Sequence, residues 1–164
     1  MDISTIYPDE SGDVFDSMIE GMDSLFVIKS NNVHKLADQL AIYHSLTGRV
    51  AYQWHDNSGI KRFDLQHITM PKTNQLIDAL YHVGNTQHFG IYLFSGFGRQ
   101  LNSPMIKNVL EHILRSTKVH RKYLLFADKS PQIPNDLADK FQTLTLVDSE
   151  STTEPPVRTR YLYS

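Results

Sequence analysis

FGIYLFSGFGRQLNSPMIKNVLEHIL, residues 89–114, decides the fold class. Phe89 to Phe94 is a short apolar run, followed by the glycine-bearing turn Ser95-Gly96-Phe97-Gly98. Met105, Ile106, Val109, Leu110, Ile113 and Leu114 then recur at the spacing of one helix face. Ser103-Pro104 places a capping hydroxyl before a proline at the first helical position. The stretch therefore predicts strand, loop and helix. The tip of such a strand is where many α/β proteins keep their chemistry. Here the tip carries no carboxylate, histidine or cysteine.

The same pattern repeats outward. Leu25 to Ile28 reads as a buried strand. Ser30-Asn31-Asn32 then offers helix caps, and Val33, Leu36, Ala37, Leu40 and Ala41 form a helix face that Gly48 stops. Residues 49–64 predict a hairpin, with Asp56-Asn57-Ser58-Gly59 as its turn. Thr73 or Asn74 is the expected cap of a helix carrying Leu76, Ile77, Leu80 and Val83. Tyr123 to Ala127, tipped by Asp128, predicts another strand; a short helix over 135–141 and a last strand over 144–147 follow. Strands separated by helices predict a three-layer α/β domain around a mainly parallel sheet.

The chain has 164 residues, enough for one domain with a real core. It has no cysteine, which excludes disulfides and thiolate metal sites and fits a cytoplasmic location. No apolar run approaches the ~20 residues of a membrane span. Seven of the 18 acids fall in residues 1–23, which have no Lys or Arg. That leaves 11 acids against 16 bases, so residues 24–164 carry +5. The expected organisation is an acidic arm over 1–23, one α/β domain over 24–148, and a flexible tail over 149–164. Within the arm, Val14, Met18 and Met22 predict a short helix from about Asp13 that docks on the body.

Several segments carry a family resemblance: LFVIKSNNVHKLADQL (25–40), VAYQW (50–54), FGIYLFSGF (89–97), PMIKNVLEHILRS (104–116), KYLLFADKSPQIPNDLADKF (122–141) and TLTLVD (143–148). They resemble the amino-terminal region of a family of AAA-type ATPases found in bacteria and plastid genomes, in which a degenerate, P-loop-like domain precedes the working ATPase module. The resemblance implies a P-loop-type sheet with strand order 5-1-4-3-2. It also implies that this chain lacks the family's ATPase module.

The residues agree with a loss of catalysis. A phosphate-binding loop needs G-x-x-x-x-G-K-[ST] after the first strand, so that backbone N–H groups reach the phosphates. After Ile28 the chain reads Lys29-Ser30-Asn31-Asn32-Val33-His34-Lys35, without glycine. The third strand should end in acids that hold magnesium; it ends Phe94-Ser95-Gly96-Phe97. Neither requirement is met, and the chain is expected not to be an enzyme.

Candidate sites are correspondingly sparse. Ser30, Asn31, Asn32, Gly96, Gly98, Arg99 and Asp128 are the candidates for nucleotide or anion binding at the strand tips. By the resemblance, Asp128 stands where active relatives sense phosphate. Ser95 lacks the flanking glycines of a nucleophile elbow. Eight histidines include no H-x-x-x-H or H-E-x-x-H pair, so no metal site and no cofactor is expected. Arg115, Lys118, Arg121 and Lys122 form the densest basic cluster, but +5 is weak support for nucleic acid. The expected role is a non-catalytic interaction or regulatory domain. Its expected partner is a protein, an AAA-type ATPase or a second copy of the chain. Nucleotide or anion binding without hydrolysis, and weak nucleic-acid binding, are the alternatives.

Overall fold

The structure, a computed structural model, describes residues 5–6, 11–116 and 121–146. Its seven strands are β1 (Thr5–Ile6), β2 (Leu25–Ser30), β3 (Ala51–His55), β4 (Gly59–Arg62), β5 (Gly90–Ser95), β6 (Lys122–Asp128) and β7 (Gln142–Leu146). The helices are α1 (Ser11–Glu20), α2 (Val33–Thr47), α3 (Leu76–Asn85), α4 (Pro104–Ser116) and α5 (Asn135–Ala138). A 3-10 turn, Gln100–Asn102, precedes α4.

The strands form one sheet in the order β1-β7-β2-β6-β5-β3-β4. Every pairing is parallel except β3 with β4, the expected hairpin. The full order differs from the bare 5-1-4-3-2, because β1 and β4 are added at the two edges. The five strands between them follow 5-1-4-3-2 when numbered along the chain.

Side chains alternate across the sheet and build two cores. Leu124 and Phe126 of β6 enter one core with α3, α4 and Leu137 of α5. Tyr123, Leu125 and Ala127 enter the other, with α1 and α2. The first core is rich in aromatics: Phe126 stacks on Phe94 at 4.8 Å and meets the edges of Phe97 and Phe141. Such pairs add directional contacts to plain area burial.

The helix expected in the acidic arm forms and docks through Val14 and Met18, but it ends at Glu20 and leaves the expected Met22 exposed. Val14, Phe15, Met18 and Ile19 are buried beneath it. Asp16 is held by the Tyr43 hydroxyl and by Arg49 Nη1 at 2.7 Å. The Ile19 carbonyl accepts from Arg121 and, at 2.9 Å, from the Tyr123 hydroxyl. The tail expected over 149–164 lies outside the described residues.

Two local expectations are corrected. Thr73 does not cap α3; the cap position is Gln75. Thr73 instead closes the hairpin edge: its hydroxyl accepts from Ile60 N at 2.9 Å and donates to the Met70 carbonyl. Its own carbonyl accepts from Trp54 Nε1 at 2.8 Å. Met105, expected in the buried stripe of α4, is 60% exposed.

Candidate functional site

The parallel strands end together, and their tips set β2, β6, β5 and β3 side by side. This row carries the candidate anion-binding residues. Lys29 of β2 faces Asp128 of β6 across the sheet, and His55 of β3 faces Ser95 of β5.

At the first tip the chain satisfies its own polar groups. The Ser30 hydroxyl, 2% exposed, accepts from Asn32 N at 3.0 Å. Asn32 Oδ1 accepts from Lys35 N at 3.1 Å and caps α2. A helix start binds anions through N–H groups left without acceptors. At α2, two of these donors already point at Ser30 and Asn32. No residue here adopts a left-handed backbone, so the chain makes no glycine-type cradle around an oxyanion.

The second tip is the 95–99 loop. Gly96 (φ +71°) and Gly98 (φ +56°) both take the left-handed conformation that L side chains avoid. Phe97 between them is buried in the aromatic core and anchors the loop. Arg99 and Gly98 are exposed. Ser95 Oγ lies 3.1 Å from His55 Nδ1. His55 is the residue that sequence reading missed here. Its signal was weak, a polar residue ending a strand, and its partner is 40 residues away.

At the third tip, Asp128 Oδ2 accepts from Ser130 N at 3.0 Å, closing a turn of its own. The candidate residues thus stand at or just beyond the C-terminal ends of neighbouring strands, β2, β6 and β5. Among the described residues no three histidine or acidic side chains group as metal ligands. No described helix is long and apolar enough to cross a membrane.

Of the basic cluster, Arg115, Arg121 and Lys122 lie among the described residues, and their surroundings differ. Lys118 lies outside the described residues. Arg115 is exposed near the end of α4. Arg121 is turned to the Ile19 carbonyl and lies over the Tyr123 ring. Lys122, counted in the sequence within the basic cluster, is 1% exposed and starts β6. Its Nζ donates to the Gly84 carbonyl at 3.4 Å, at the C-terminal end of α3. Burial pushes this ammonium below the ordinary lysine value.

Residues 12–146 match the family model described as SpoVK-like AAA ATPase, N-terminal domain. No curated protein and no solved structure matches the chain.

Proposed function

Because this chain belongs to the family of SpoVK-like AAA ATPase N-terminal domains, we propose that it is a non-catalytic interaction domain whose partner is a protein, an AAA-type ATPase or a second copy of itself. The observation that carries the reading is the first strand tip. There Ser30 and Asn32 occupy the N–H groups that a phosphate would otherwise take. A second support is the absence of acids on the β5 tip, where magnesium would need them.

What remains is a well-packed scaffold with loops to offer. The 95–103 loop is anchored through Phe97 and Leu101, both buried, and presents Gly98 and Arg99 outward. The 54–70 segment presents exposed Ile68. Contacts through such loops need no chemistry at the strand tips.

Calorimetry of the chain with Mg-ATP tests this reading. No heat of binding up to millimolar nucleotide is the expected result. Micromolar binding, or turnover that Asp128→Asn abolishes, overturns it.

One observation favours the second reading, anion binding without hydrolysis. Two left-handed glycines flanking one residue, followed by an exposed Arg99, resemble a small backbone nest. Titration with inorganic phosphate, followed by the amide signals of Gly96–Arg99, separates the two. Shifts confined to that loop would favour the anion site.

A further inference from the structure

The Gly96–Arg99 loop has a neighbour that its own backbone does not supply. The His55 ring lies over Gly96: its Nδ1 is 3.1 Å from Ser95 Oγ, and its Nε2 is 2.9 Å from the place a Cβ on Gly96 would take. When Ser95 donates to Nδ1, the imidazole carries its proton on Nε2. Among the described residues Nε2 has no hydrogen-bond partner, and His55 is exposed.

The loop adds donors of its own. Gly98 (φ +56°) followed by Arg99 (φ −103°, ψ 20°) is a left-handed then right-handed pair, which turns neighbouring N–H groups toward one concave side. Among the described residues the N–H groups of Gly96, Gly98 and Arg99 donate to no other group, whereas the Phe97 and Arg99 carbonyls accept from Gln100 N and Asn102 N. Chain neighbours apart, no heavy atom lies within 4 Å of the place a Cβ on Gly98 would occupy, so this side of the loop is open. Phe97, packed against Phe126, fixes the loop before any ligand arrives. Arg99 is exposed and, among the described residues, makes no ion pair. Asp128, at the neighbouring β6 tip, is turned to Ser130 N.

Unclaimed donors beside a guanidinium call for an anion. A triphosphate chain would also need the N–H groups at the start of α2, which Ser30 and Asn32 occupy. We propose that His55 and the 96–99 loop form a two-sided binding site for one oxyanion group, a carboxylate or a phosphate. Gly98 N–H, Arg99 and His55 Nε2–H are its donors, and Ser95 is the positioning residue that sets the imidazole tautomer. The site rests on the anion-binding reading of the loop, to which it adds a second wall and a limit of one oxyanion group.

The test titrates inorganic phosphate and, separately, a capped peptide of aspartates into the full-length chain. The amide signals of Gly96, Gly98 and Arg99 are followed together with the ring signals of His55. All should move with one dissociation constant. His55→Ala and Arg99→Gln should each weaken binding about tenfold, the loss of one hydrogen bond to a charged group. Ser95→Ala should weaken it less. His55 and Arg99 are exposed, and unmoved amide signals elsewhere in the sheet check that the variants stay folded. Tighter binding of the peptide assigns the site to an acidic segment of a partner protein; tighter binding of phosphate assigns it to a phosphoryl group. Shifts confined to the loop, with His55→Ala binding as tightly as the parent, leave a one-sided nest and overturn the two-sided site. No shift with either probe at millimolar concentration overturns both.

Discussion

The His55 imidazole fills the space beside the α-carbon of Gly96: a Cβ placed there would lie 2.5 Å from His55 Cε1. Position 96 thus combines a left-handed backbone, φ +71°, with a ring in the way. Gly96→Ala should cost about 2 kcal/mol in urea unfolding, part from the backbone and part from the displaced ring. Because His55 is exposed, the ring can leave. In a His55→Ala background the cost should fall to about 1 kcal/mol, the backbone share alone. An unchanged cost would show that His55 does not constrain the loop.

The aromatic core makes a larger prediction. Phe126 is fully buried, stacked on Phe94 and met edge-on by Phe97 and Phe141. Phe126→Ala should lose about 4 kcal/mol, and Phe126→Leu less than half of that. Equilibrium denaturation checks both values. Since Phe97 anchors the 95–99 loop against Phe126, the alanine variant should also speed amide exchange of Gly96 and Gly98 beyond the global loss of stability.

Much of this architecture was legible because each layer has its own sequence period. The runs at 25–28, 90–94 and 123–127 are apolar without alternation, as strands buried on both faces must be. Asn32 and Gly48 were readable as the ends of α2 because capping chemistry is local. What sequence could not show depends on distant partners. The docking of α1 was legible from its apolar face, but not the partner of Asp16, which is Arg49, 33 residues later. β1 is two residues long and has no period to detect. Thr73 resembles a helix cap in sequence and serves the edge of β4 in space. The pairing of Ser95 with His55 required the register of β5 on β3.

Asn32 gives a direct test of the first strand tip. Its side chain caps α2, so Asn32→Ala should cost about 1 kcal/mol of stability. Asn32→Asp keeps the acceptor and adds a charge that favours a helix start, and should be neutral or stabilising. Thermal unfolding of the two variants checks the ordering. A midpoint for Asn32→Ala equal to that of the parent would mean that the cap contributes nothing.

Tyr43 governs an alkaline limit. Burial, then the hydrogen bond to Asp16, raises its phenol from 10.0 to about 12, against the lowering effect of Arg49. The folded chain therefore holds this proton over a range where the unfolded chain releases it. The contribution is complete below pH 10 and is lost as pH rises toward 12. Tyr43→Phe should flatten part of the fall in stability across this window. Part will persist, since burial also raises Tyr92, Tyr52 and Tyr123. An unchanged slope would separate Tyr43 from the alkaline transition.

Lys122 works in the other direction. Burial lowers its ammonium from the ordinary 10.5, so the unfolded chain binds this proton more tightly than the folded one. Stability should therefore rise with pH through the window below 10.5, where the folded lysine sheds its proton first. The buried stem packs at the start of β6, and among the described residues its charge meets the Gly84 carbonyl at 3.4 Å. Lys122→Met keeps the volume and removes the desolvated charge. At pH 7 it should match or exceed the parent by about 1 kcal/mol, as apolar replacements of buried ions often do. Lys122→Ala leaves a cavity and should fall about 2 kcal/mol below Lys122→Met. The advantage of methionine over lysine should shrink as pH rises toward 10.5, because the folded chain sheds this proton more readily than the unfolded one. Denaturation of the three proteins at pH 7 and pH 10 measures this. A methionine advantage that grows with pH would place the Lys122 charge among the groups that stabilise the fold.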